Sequence, residues 1–262
     1  MKNAFLYLLF IFSTIQAQNS KIAATKINFI PNQSKNYIEQ DSYGYNYFID
    51  KEVLYKIKDR EKWEYKNVSL GNLTTIDLKN PLKIVLFYQD FNAIILLDNQ
   101  LSETQRILFF QSETPINVKA TGIAAQNQLW IYNNLNQQIG LYNYLNNTYR
   151  TISTPFPDTM QYYQTDFNHF YWIDDNNEAF MCNLFGKITT LFKIPENDWI
   201  TFIDEREIIY SKDHLICILD NNRNKKYEIE IVEKSFEKCS YKDQILSIFT
   251  KEGITNYKII IP

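Results

Sequence analysis

Six times along the chain an apolar run ends in polar turn residues and is followed at once by a second apolar run. The pairs read "YNYFIDK-EVLYKIKD", "IVLFYQD-FNAIILLD", "LWIYNN-LNQQIGLYN", "FYWIDD-NNEAFMCN", "IIYSKD-HLICILD" and "ILSIFTKE-GITNYKIII". Runs this short, rich in Tyr, Phe, Ile and Leu and bounded by Asp and Asn, predict β-hairpins. The first run of each pair ends at Lys51, Asp90, Asn134, Asp175, Asp213 and Glu252, so the hairpins recur at intervals of 39, 44, 41, 38 and 39 residues. A second column of acids and amides, Asp59, Asp98, Asn143, Asn183 and Asp220, closes the second runs. Asp and Asn bond to their own backbone in turns, which predicts a structural role for both columns.

Further runs complete the unit. "ETQRILFF", "NTYRTIS", "KITTLFKI" and "KKYEIEI" follow four of the hairpins and alternate polar with apolar, as exposed outer strands do. Shorter runs such as "TTIDL", "ATGIAA", "MQYYQTD" and "DWITFID" precede them. Four antiparallel strands about every 40 residues predict the blade of a β-propeller, because one such sheet cannot bury both faces and must stack on its neighbours. The expected fold is therefore all-β, a propeller of six four-stranded blades. A degenerate unit within 100–125 or 145–165 would make seven, and a pair of β-sandwiches is the other alternative. The sixth unit stops after "TNYKIII" with no outer strand, and "SKIAATKINFIP" near the start has no unit of its own. That N-terminal strand is expected to supply the missing edge and close the ring.

The "LWIY…IGLYN" and "AIILLDN" hairpins resemble the six-bladed propeller group that includes the NHL, YWTD and quinoprotein-like propellers, and the resemblance runs over the whole mature chain. It lacks the literal YWTD tetrad, the Trp-Asp ending of WD40 blades and the paired glycines of kelch blades. The resemblance implies a fold, one that carries ligand binders, hydrolases, lyases and scaffolds alike.

The first residues, "MKNAFLYLLFIFSTIQAQN", place Lys2 before an apolar stretch from Ala4 to Ile15 that gives way to small and polar residues. This predicts a signal peptide over 1–17, cut between Ala17 and Gln18, and a mature propeller over 18–262. No cysteine follows the stretch to take a lipid, and no later segment is apolar enough to span a bilayer, so a periplasmic or extracellular product is expected. An abundance of Asn, Ile, Lys and Tyr fits a bacterial source. Hydrophobic residues make up 45% of the 262, enough for a core, and the net charge of −3 argues against nucleic acid as a partner. Cys182, Cys217 and Cys239 lie in apolar runs and read as small buried hydrophobes, with one disulfide as the alternative.

Chemistry is sparse. His169 and His214 both fall at hairpin turns, and no His/Cys set has zinc-ligand spacing. "DDNNE", from Asp174 to Glu178, lacks the glycine and distal glutamate of a calcium loop. Trp63, Trp130, Trp172 and Trp199 come from four different blades and suit packing between blades. No metal or cofactor is expected. Two readings follow. In the first, the propeller is a non-enzymatic scaffold for protein partners of the cell envelope or an outer-membrane assembly or secretion complex. Its contact site is the long interruption Ser153 to Tyr171, with Phe156, Tyr162 and Tyr163 exposed. In the second, the chain is a small-ligand or carbohydrate-binding, or lactonase- or lyase-like, propeller. Asp77, Asp166 and Asp204, which recur at the ends of innermost strands, then gather at the channel mouth.

Overall fold

The computed structural model describes residues 20–31, 37–111, 114–157 and 160–261. The expected signal peptide lies outside the described residues. Six sheets form a ring of four-stranded antiparallel blades: blade 1 over 37–66, blade 2 over 75–108, blade 3 over 118–151, blade 4 over 162–193, blade 5 over 199–230, and blade 6 over 238–258 plus an N-terminal strand. The chain is a six-bladed β-propeller. The two intervals named for a seventh unit, 100–125 and 145–165, are spent on their neighbours. Glu103–Leu108 and Val118–Ala124 are the outer strand of blade 2 and the inner strand of blade 3; Thr148–Thr151 and Tyr162–Thr165 are the outer strand of blade 3 and the inner strand of blade 4.

The burial gradient explains why the hairpins stand out in the sequence. The middle strands of blade 2, Ile84–Tyr88 and Ala93–Leu97, are buried at every position, whereas half of its outer strand is exposed. Middle strands are covered on both faces by adjoining blades and must be apolar throughout. Apolar clusters fill five junctions of the ring. Between blades 3 and 4, for instance, Trp130, Tyr132 and Leu141 pack on Phe170, Trp172 and Cys182. At the junction of blades 6 and 1, Tyr37 lies against Phe249 at 5.3 Å and Lys238 donates to the Tyr37 carbonyl at 3.4 Å.

The N-terminal segment divides at Ala24 into two strands rather than one. β1 (Ser20–Ala23) runs parallel to the outer strand of blade 5, with Ile22 buried and Lys21 paired to Glu230 at 2.8 Å. β2 (Thr25–Pro31) then pairs antiparallel with Gly253–Lys258 and completes blade 6, as expected. One segment thus straps the outer edges of two neighbouring blades.

The chain turns with few glycines. At three two-residue hairpin turns, Lys51-Glu52, Asp213-His214 and Asp243-Gln244, both residues have positive φ, the type I′ geometry that matches strand twist. Elsewhere the predicted columns do the work. Asp98, Asn143 and Asn183 each accept the backbone N–H two residues on, at 2.8, 3.0 and 3.0 Å. In "DDNNE" it is Asp174 that caps the turn, accepting from Asn176 and Glu178. Cys182, Cys217 and Cys239 are all buried and unpaired.

Candidate functional site

In each blade the innermost strand has a sheet neighbour on one side only, so its other edge faces the central channel. That edge carries backbone N–H and C=O groups that must find partners. Side chains from adjoining blades supply them. The Asp77 carboxylate of blade 2 accepts the Ile123 N–H of blade 3 at 2.7 Å. Gln164 of blade 4 bonds both the N–H and the C=O of Phe202 in blade 5, each at 2.9 Å, and also accepts from the Thr201 and Tyr162 hydroxyls. Lys242 of blade 6 pairs with Glu39 of blade 1 and donates to the Leu78 carbonyl of blade 2 at 2.9 Å. The inner strands are laced together by side chains across the blade junctions.

A cavity of about 390 Å³ occupies the channel, and all six innermost strands contribute to its wall. Thr121 is 4% exposed there, and its hydroxyl has no partner among the described residues. Gly122 beside it is required by close approach: a Cβ at that position would stand 1.9 Å from the Thr165 hydroxyl and 2.9 Å from the Asp77 carboxylate. Asp77 is thereby pressed against the blade 3 strand, and desolvation raises its pKa above the ordinary carboxylate value despite two backbone N–H bonds.

The three acids marked by the sequence share a local role but not a cavity. Asp77, Asp166 and Asp204 each accept the N–H two residues on, from Lys79 at 2.8 Å, Asn168 at 2.7 Å and Arg206 at 2.7 Å. Asp77 is the one that lines the channel. Asp166 keeps its second oxygen 3.3 Å from His169 Nδ1, and that of Asp204 is 3.2 Å from Arg206. His214 lies in a type I′ turn with its ring edge-on to Phe236.

The aromatic residues expected on an exposed loop are placed differently. Phe156 stacks on Trp172 at 4.5 Å and touches Tyr132 at 5.0 Å, which makes it part of the core between blades 3 and 4. Tyr162 and Tyr163 belong to the innermost strand of blade 4 and line the channel cavity, Tyr163 stacking on Phe170 and Tyr162 on Phe202. Burial pushes the Tyr162 hydroxyl up to about 12. All three are partly buried.

Exposed large apolar side chains are spread over the ring, Phe185 and Leu145 among them, and two of them flank a groove between blades 1 and 2, on the side where innermost strands end. A groove of about 520 Å³ there is flanked by Tyr43 and Leu82, 54% and 56% exposed, and floored by Tyr45 and Trp63. The floor rings meet edge to face at 5.5 Å. Beneath them the buried Lys56 ammonium sits 4.3 Å from the centre of Tyr45, donates to the Asn99 carbonyl at 2.7 Å and lies 3.8 Å from Asp41. Desolvation lowers the Lys56 pKa in spite of Asp41. Nothing in the order of residues around Tyr43 or Leu82 signalled this groove, since its parts come from two blades.

In overall shape the chain is similar to virginiamycin B lyase. The match to that enzyme from Staphylococcus aureus has a TM-score of 0.58 at 14% identity and covers 93% of this chain and 96% of the lyase. A member of the DUF4221 family from Bacteroides vulgatus matches with a TM-score of 0.59 at 8% identity, covering 94% and 99%. The β-propeller domain of Cps50 (Swd1) from Myceliophteria thermophila gives 0.54 at 8% identity, covering 91% and 100%. At these identities the likenesses show the shared propeller fold. No protein-family model matches the chain, and comparison with curated proteins finds no match.

Proposed function

We propose that this chain is an exported, non-enzymatic propeller that serves as an interaction scaffold for a protein partner of the cell envelope. The observation that carries the reading is the groove between blades 1 and 2. Rigid aromatic rings beside amide groups, flanked by exposed apolar side chains, have the make-up of protein-contact hot spots. The rings are held in place before any partner arrives, because the buried Lys56 and its acceptors fix their floor. The acids that would serve a catalytic reading are engaged as turn caps and as a tie between blades. The apolar stretch from Ala4 to Ile15 in the sequence supports export, and no helix among the described residues is long and apolar enough to cross a membrane.

Affinity purification from native membranes tests this with a matched control. Wild-type protein should recover a partner in stoichiometric amount, and a Tyr43→Asp, Leu82→Asp double variant of unchanged circular dichroism should lose it. Recovery of wild type as a lone monodisperse species, or equal recovery of the partner by both proteins, would overturn the proposal.

A further inference from the structure

The groove between blades 1 and 2 is floored by a sheet face. Trp63 stands opposite Lys56 on the neighbouring strand, and Lys56 opposite Tyr47 on the next, so these side chains rise from one side of blade 1. The strands beneath are already paired with one another, so an incoming β-strand finds no ladder to join on that face. At about 520 Å³ the groove holds a few residues of chain, short of the successive turns over which an amphipathic helix spaces its anchors.

Most polar groups of the groove are spent. The Tyr45 hydroxyl donates to Glu61 at 2.6 Å, Lys56 to the Asn99 carbonyl at 2.7 Å, and Lys58 to the Tyr43 carbonyl at 2.7 Å. The Trp63 indole N–H and the Tyr43 hydroxyl have no acceptor among the described residues, and neither is sealed from solvent. An indole N–H can only donate. Asp41 and Lys58 pin the Tyr43 loop from its N–H and its carbonyl, so the rings stand in place before a ligand arrives.

We propose, resting on the scaffold reading, that the groove takes a proline-rich segment of the partner in the polyproline II conformation. Its pyrrolidine rings pack against Tyr43, Tyr45 and Trp63, and its carbonyls accept from the Trp63 N–H and the Tyr43 hydroxyl. A polyproline II helix has no internal hydrogen bonds, so its carbonyls are free for such donors, and proline brings no N–H that needs an acceptor. Its fixed φ leaves little freedom to lose on docking in a shallow, aromatic-lined site. A glycan would stack on the same rings, but its hydroxyl donors meet acceptors already engaged, the Asn99 carbonyl by Lys56 and one Glu61 oxygen by Tyr45.

Titration calorimetry of the full chain tests this with an acetylated decaproline amide, a Gly-Ser peptide of equal length and cellohexaose as probes. Decaproline should bind saturably with a Kd below about 1 mM, and the other two about tenfold or more weakly. Trp63→Phe, which keeps a ring and removes the N–H, should weaken decaproline binding by about tenfold. Tyr43→Phe, at an exposed position that folding does not depend on, should weaken it as well. Decaproline failing to saturate at about 10 mM would overturn the proposal. So would tighter binding of cellohexaose, which marks a glycan site, or both variants binding decaproline as wild type does. If decaproline fails while wild type still recovers a partner that the Tyr43→Asp, Leu82→Asp double variant loses, the proline assignment falls and the scaffold reading stands; if no partner is recovered either, both fall.

Discussion

The Asp41 carboxylate accepts the N–H groups of Tyr43 and Tyr45 at 2.9 and 3.0 Å and the Tyr47 hydroxyl at 2.9 Å, with the Lys56 ammonium 3.8 Å away. Both charges are essentially out of water, so removing one partner leaves the other buried and uncompensated. Asp41→Ala should cost about 3–5 kcal/mol in urea unfolding, and Lys56→Met less than half of that, because Asp41 keeps three donors. Asp77 gives a pH signature. Its folded-state pKa is raised, so on increasing pH the unfolded chain loses this proton first, and stability falls from about pH 4 up to the folded value. Asp77→Asn should flatten that part of the stability profile measured between pH 4 and 7. Burial pushes the thiols of Cys182 and Cys239 up to about 12 and raises that of Cys217 as well. A thiol reagent at pH 8 should therefore leave native protein unmodified and label all three cysteines in urea.

At the scale of strands and turns, Gly186 is a sharp test of local geometry. It ends the turn after Asn183 with a φ of +82°, and a Cβ there would come within 1.9 Å of the Ile152 carbonyl. Gly186→Ala should destabilise the protein by about 1–3 kcal/mol, seen as a lower urea midpoint at unchanged slope. The repeat was readable in the sequence because middle strands such as Ile84–Tyr88 are covered on both faces and their turns are capped by Asp or Asn at fixed intervals. Innermost strands give a weaker signal: runs such as "TTIDL" and "DWITFID" locate them but do not say what their residues touch. Their side chains point alternately into two blade junctions while their backbone edge faces the channel, so Thr121, Gln164 and Lys238 look like ordinary strand residues. Glu39 and Lys242 meet across 203 positions of sequence, a distance over which local patterning is silent. Phe156, Tyr162 and Tyr163 misled for a related reason: an irregular stretch rich in Pro and Tyr reads as a surface loop, yet it delivers a core aromatic and a channel strand.

On the scale of the whole ring, the strap formed by β1 and β2 decides closure. β2 supplies the outer edge of blade 6, and without it Gly253–Lys258 would be an unpaired strand edge open to other chains. A chain lacking residues up to Pro31 should therefore associate in a concentration-dependent way, visible by light scattering, while keeping a β-rich circular dichroism spectrum. The strap also has a consequence in time. β2 is synthesised well before its partner Gly253–Lys258, since 228 positions separate Asn28 from Asn256. The ring cannot shut until that later hairpin has been made. Closure therefore waits on a contact of very high sequence separation, and the earlier blades must stay soluble as an open arc until it forms.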